Sequence, residues 1–459
     1  MARRGTYKHS QGAIAIAIFA FVLTAVPKIN VRVGPVPMYF MDLLLIVVIY
    51  YAVRRPGFAG QARPFGTVVL VLFLLAIAGE MVGFIYTGSV FDHTYIIIRT
   101  VLAFLVFYAT GQLIRSVEDL ELVLKALALG LLVTSSLMIL TSIPQTREPV
   151  AALILNNNFL DPAGTRISRF YIDTGDSGIR GRTLVGVSIM GASFINMIWP
   201  LVAILYVWRQ PIGKWRNIAM IACFLAPMGV LMSYSRGPII GSILIILATL
   251  LLGLHLIRKG VLRPLIAGVV VVLLVGVDSN AFFFDRLVNR TNAVLNNPFE
   301  DDRESERILA YVEPFEHVVE RPEFLLLGQG NAIHRSRNVV PEMAGKASHA
   351  LFAVAYYSHG MIAAFLYMGL LISMFYYTMR HMRFRQSGEG LYLSQALFAS
   401  TLGLLPWALF GHAMVSTPRG AMMLFFLLGL MTTLRHFPLE ASRPQAKKVE
   451  NGYSRHIAV

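Results

Sequence analysis

Arg236 stands in LMSYSRGPIIGSIL, where one apolar run ends and the next begins with almost nothing between them. A guanidinium there has no polar sequence to retreat into on either side, so it is held at a rim. It either snorkels toward headgroups or grips a phosphate, for which its planar fork and permanent charge are suited. Arg419, in VSTPRGAMML, opens a later apolar run in the same way, and there snorkelling is the plainer reading. Arg303 and Arg307 lie one turn apart in RESERILAYVEPF, with Glu304 three residues before Arg307. Their charges either balance along a solvated helical face or accept an anion between the two guanidiniums. His349 opens the run HALFAVAYYSHGMIAAFLYMGLL, and an imidazole there is either a satisfied interfacial group or a general base near neutrality. On a straight helix, His349 and His359 stand about 80° apart around the axis and roughly 15 Å along it, so one metal ion cannot join them. Tyr356 shares the stripe of His349 and could face the same cavity.

Other ionisable groups suggest less. Asp42, Glu80 and Arg99 fall in or beside apolar runs and read as structural partners of one another. The acidic run Glu300, Asp301, Asp302 suits a helix N-terminus, and no metal is assigned to it. Serine-hydrolase, P-loop and zinc-protease patterns do not occur.

The elements that must position these residues follow from the solvent the chain is built for. Of 459 residues 56% are hydrophobic and only 14% charged, with mean hydropathy +0.64. Separate apolar runs of about 20 residues are each long enough to cross roughly 30 Å of hydrocarbon as a helix. They fall near 12–29, 35–53, 67–86, 94–113, 120–141, 184–207, 217–234, 237–256, 262–277, 348–379, 392–411 and 419–434. The expected fold is therefore an all-α polytopic membrane protein of about twelve transmembrane helices. MARRGTYKHS followed by GAIAIAIFAFVLTAV has the charge order of a signal peptide without a small-residue cleavage pattern, and reads as an uncleaved first helix. The single cysteine, Cys223, excludes an internal disulfide and any cysteine-based metal site.

A net charge of +15 would suit nucleic acid, but its distribution says otherwise. Arg3, Arg4, Lys8, Arg54, Arg55, Arg63, Arg115, Arg209, Lys214, Arg216, Arg258, Lys259, Arg263, Arg380, Arg383, Arg385 and Arg435 fall in alternate loops on one side. The short loops on the other side hold only Lys28, Arg32, Arg236 and Arg419, so both termini are expected in the cytoplasm. No nucleic-acid partner is implied; the lipid bilayer is. Two long loops, about 142–183 and 278–347, lie on the outer side, and loops of that size are usually functional. The expected organisation is 1–277 as transmembrane helices one to nine including the outer loop 142–183, 278–347 as a large outer loop, 348–434 as helices ten to twelve, and 435–459 as a polar cytoplasmic tail. Within the large loop, RESERILAYVEPFEHVVE reads as a helix ended by Arg321-Pro322, its face of Ile308, Tyr311, Val312, Phe315 and Val319 laid on the membrane domain or its surface. FLLLGQGNAIHR follows as an apolar strip closing on a Gly-x-Gly turn.

Twelve spans, a short outer hairpin with Ser235-Arg236-Gly237, a large outer loop with an Arg-bearing helix, Gly328-Gln329-Gly330, a histidine opening the next span and Gly360 within it: this resembles the O-antigen ligase and polymerase superfamily. The resemblance is architectural over most of the chain and residue-specific only from about Leu231 to Leu371. It departs from the common pattern at Ala350, where members often place asparagine after the histidine. It implies a GT-C-like fold in the bacterial inner membrane, with the active site at the periplasmic face. It further implies transfer of a glycan from undecaprenyl diphosphate to the hydroxyl of a glycan or lipid-anchored glycan acceptor, with a chain-length regulator as a candidate partner. Arg236 and Arg307 would grip the donor diphosphate, with Arg180 and Arg182 as further phosphate or sugar contacts, and Arg303, Tyr356 and Arg419 as cavity contacts. His349 would serve the acceptor hydroxyl. Fixed guanidinium charge would take the place of a metal at the leaving diphosphate, so no cofactor is expected. A polymerase, favoured slightly by Ala350, a ligase acting on lipid A core, and, from another class, a transporter of lipid-linked glycans all remain open.

Overall fold

The computed structural model describes residues 9–26, 30–33, 36–55, 64–143, 146, 149–150, 183–184, 188–207, 214–251, 266, 312, 315–316, 320–331, 350–384, 388–410 and 417–437. Helix α1 (Gln11–Ala25) is capped by Ser10, whose hydroxyl accepts from the Ala13 N–H at 3.1 Å. A short antiparallel hairpin follows, β1 (Asn30–Val33) with β2 (Val36–Tyr39), in register from Asn30 opposite Tyr39 to Val33 opposite Val36. The second apolar run was expected to be helical from 35, but α2 spans Phe40–Arg54. Pro35 and Pro37 lack the N–H groups a helix interior uses, which delays the helix.

Next come α3 (Gly66–Thr87), α4 (Val90–Leu113), α5 (Val117–Leu140), α6 (Ser188–Val207), α7 (Lys214–Met232) and α8 (Arg236–Leu251). The described helices close with α9 (Leu351–Phe384), α10 (Glu389–Phe410) and α11 (Pro418–Thr433). Eleven of the twelve expected spans thus coincide with helices; the ninth, 262–277, lies outside the described residues except for Ile266. Among the described residues six helices are long and apolar enough to cross a membrane, and the protein is all-α apart from the hairpin.

Packing follows the chain only in part. α5 lies against α1, α6 and α7; α4 against α2, α3 and α11; α10 against α6, α8 and α9; and α9 also against α3. Phe107, Phe194, Trp199, Trp407, Phe425 and Phe426 fill the interior. The two rims are stitched by arginines. At one, Arg55 donates to Leu113 O at 2.8 Å and to Ser10 Oγ at 2.6 Å, while Arg115 Nε donates to Gln112 O at 3.1 Å. Burial, and then the charges of Arg55 and Arg435, lower the pKa of Arg115 from its ordinary value. The ends of α2, α4 and α11 therefore share a rim, as the alternation of basic loops requires. At the other rim Arg419, 1% exposed, donates to Val26 O at 2.7 Å and to Leu184 O at 3.5 Å.

Candidate functional site

The hairpin bearing Arg236 is built with few residues. α7 ends at Met232 and α8 starts at Arg236, with Tyr234 between them at a φ of 50°. Ser233 Oγ donates to Val230 O at 2.6 Å, and Ser235 N donates to Ser233 Oγ at 3.2 Å, so the turn satisfies its own polar groups. Asn196 of α6 fastens the hairpin from the side: its Nδ2 donates to Pro238 O at 2.6 Å, and its Oδ1 accepts from Ser242 Oγ at 2.7 Å. Arg236 is half-buried at the head of α8.

The second part of the site is a broken helix. Gly360 in α9 adopts φ 85° and ψ 172°, a conformation essentially restricted to glycine. The break orphans backbone groups, and residues 325–330 supply their partners. Gln329 N donates to Tyr357 O at 2.8 Å, Gly330 N to Ser358 O at 3.0 Å, and Met361 N to Leu325 O at 2.8 Å. This strap is the Gly-x-Gly strip of the sequence, with Gly328 at φ 69° and Gly330 at φ 78°. It begins after Glu320 and Arg321, where a 3-10 turn at Pro322–Phe324 takes over from helical backbone at Val312, Phe315, Glu316 and Glu320. The helix stop expected at Arg321-Pro322 is therefore met. Phe315 stacks on Phe352 of α9 at 6.0 Å, and Phe324 packs edge-on against Tyr86 of α3 at 4.9 Å, which lays this segment on the membrane helices.

α3 admits the strap through Gly79 and Gly83. A Cβ at Gly79 would collide with Ser358 O and Leu327 O, and one at Gly83 with Gln329 O. Between them Glu80, 1% exposed, receives the Asn331 N–H at Oε1 at 2.5 Å. Its Oε2 lies 2.8 Å from His93 Nδ1, and His93 Nε2 lies 2.9 Å from Thr87 Oγ1. With the His93 proton on Nδ1 the ring donates to the Glu80 carboxylate, and Nε2 accepts from the Thr87 hydroxyl, which also lies 2.9 Å from Gly83 O. Asn331 Oδ1 accepts from Ser358 Oγ at 2.6 Å, and Asn331 Nδ2 lies 3.4 Å from His359 Nε2. His359 Nδ1 and Gln329 Oε1 are buried with no hydrogen-bond partner among the described residues.

Of the residues expected to act, Arg236, Tyr356 and Arg419 are described, whereas Arg180, Arg182, Arg303, Arg307 and His349 lie outside the described residues, as do Glu300, Asp301 and Asp302. α8, with Arg236, and α9, with Tyr356, both pack on α10. Tyr356 is 1% exposed with its ring 5.2 Å from that of Tyr357. Arg419 holds two backbone carbonyls rather than reaching toward headgroups. Asp42 and Arg99 pair as expected, Nη2 to Oδ2 at 3.0 Å, but Glu80 does not join them. Its partners among the described residues include His93 and Asn331, because the strap comes between α3 and α9. His93, Asn331 and Ser358 were not singled out from sequence. The available signal was Gly79-Glu80-Met81-Val82-Gly83, a close-packing motif with a carboxylate inside it.

Fold and site together define a multi-pass, all-α membrane protein in which residues 325–330 are built into a broken helix. Residues 221–368 match the family model described as O-antigen ligase. The match supports the O-antigen ligase and polymerase superfamily and, with it, glycan transfer in polysaccharide or lipopolysaccharide biosynthesis. It runs from α7 through the Arg236 hairpin and the strap into α9 past the Gly360 break. Comparison with curated proteins gives no match.

Proposed function

We propose that the protein transfers a glycan from undecaprenyl diphosphate to an acceptor hydroxyl at the outer face of the bacterial inner membrane, without a metal and with inversion at the anomeric carbon. The observation that carries this reading is the family match over 221–368, which contains Arg236, Arg307 and His349. Cleavage of a glycosyl phosphate leaves charge on the diphosphate, and Arg236 and Arg307 neutralise it, with Arg180 and Arg182 as further contacts. His349 accepts the proton of the acceptor hydroxyl, a contribution of roughly 10²- to 10⁴-fold. Attack opposite the leaving group gives the inversion. The lipid tail stays among the helices while the glycan lies under the 278–347 loop. Ala350 after the histidine favours a polymerase of surface-polysaccharide repeats, and the match to an O-antigen ligase family favours a ligase.

The test is purified protein with an undecaprenyl-diphosphate-linked repeat as the only sugar. Chain growth selects the polymerase; growth only after lipid A core is added selects the ligase. His349→Ala and Arg236→Ala, inserted at normal levels, should lose product. Continued transfer by both variants, or translocation of the lipid-linked glycan without transfer, refutes the reading.

A further inference from the structure

Asn331, the last described residue of the strap, is held from two helices, and a third stands behind them. Its backbone N–H meets Glu80 of α3 and its side chain meets Ser358 of α9, while Glu80 is itself backed by His93 of α4. A carboxyl at 1% exposure inside an apolar helix is costly, and this one is placed where the strap enters. The strap in turn holds the inner end of the half-helix that runs from Leu351 to the break at Gly360. At its outer end that half-helix is preceded by Ala350, 1% exposed, and then by His349.

The half-helix is a lever. About nine residues at 1.5 Å each give a length of roughly 13 Å. A tilt of about 5° at the break moves the outer end by about 1 Å, and a misplacement of that size costs reactions on the order of 10²-fold. We propose that Glu80 is a positioning residue for His349: by holding Asn331 it locks the Gly-Gln-Gly strap into the broken α9 and so sets the pose of the half-helix that follows the histidine. The proposal rests on the reading of His349 as the base. Glu80 touches neither donor nor acceptor; it acts through Asn331 and α9.

Amide exchange and turnover together test it, on full-length protein in detergent with an undecaprenyl-diphosphate-linked oligosaccharide as donor. Glu80→Ala should speed exchange of the Gln329 and Gly330 amides by about tenfold, the loss of one charge-assisted hydrogen bond. It should lower kcat by on the order of 10²-fold and leave KM for the donor within about twofold, because the diphosphate contacts are elsewhere. Glu80→Gln keeps an acceptor for the Asn331 N–H, and should restore slow exchange and most of kcat. Asn331→Pro deletes the N–H that Glu80 receives, leaves the membrane helices untouched and should give the same split, which keeps the test readable should Glu80→Ala not insert. Unaltered strap exchange in Glu80→Ala, or fast exchange with unaltered kcat, overturns the role while leaving the transferase reading intact. Absence of transfer by the unaltered protein overturns both.

Discussion

Replacing Gly360 by alanine puts two costs in competition. With the strap in place, the new Cβ collides with Leu326 O, and the φ of 85° is one an L residue adopts only with strain of about 1–3 kcal/mol. The alternative is for α9 to straighten. Its freed groups then pair within the helix, and the three hydrogen bonds to Leu325, Gln329 and Gly330 are lost. At about 1 kcal/mol each these are worth about 3 kcal/mol, or roughly two powers of ten in the equilibrium for strap release. Collision with a backbone carbonyl cannot be relieved by a rotamer, so release is the expected outcome, with the bundle itself still folded. The native Cys223 is 1% exposed, so a cysteine introduced as Gln329→Cys reports alone to a membrane-impermeant maleimide. In the Gly360→Ala background its labelling should quicken by about a hundredfold. Labelling as slow as in the parent would refute the claim that the break at Gly360 is what seats the strap.

Three further outcomes follow from the buried ion pair, the Arg419 rim and the Arg236 hairpin. Asp42→Ala leaves Arg99 without its carboxylate at 3% exposure and should lower stability by about 3–5 kcal/mol in detergent unfolding, whereas Asp42→Leu combined with Arg99→Met should recover most of it. Arg419→Lys should melt well below the parent and only slightly above Arg419→Ala, because one ammonium on a flexible stem does not reproduce a fork that spans Val26 O and Leu184 O. Asn196→Leu abandons the Pro238 carbonyl and the Ser242 hydroxyl and should cost about 2–4 kcal/mol, with weaker donor binding by the Arg236 hairpin read as a raised KM.

Hydropathy was enough to find eleven helices, because membrane spans need unbroken apolar length and little else. It failed at 36–39, where proline outweighs hydrophobicity and a strand forms instead. The stop at Arg321-Pro322 was legible because proline disfavours helical backbone at the residue before it, although Pro200, Pro227 and Pro406 are carried inside α6, α7 and α10. The break inside α9 was not legible, since Gly360 sits in an apolar run and its cause is a strap that arrives from outside the helix. The pairing of Asp42 with Arg99 was within reach of charge alone, but that of Glu80 with His93 and Asn331 depends on how close two glycines let the strap come. Arg419 was misjudged toward headgroups because a one-dimensional reading cannot see the backbone ends of α1 and of the segment before α6 meeting it.

Arg419 also bears on how the chain is made. Its partner Val26 leaves the ribosome 393 residues ahead of it, so the bond between them closes only after the intervening helices have been made. Until then α4 lacks the packing that α11 supplies, and α1 its smaller contact with the same helix. A nascent chain stopped short of Pro418 would present the α11-facing side of α4 to lipid and to quality-control proteases.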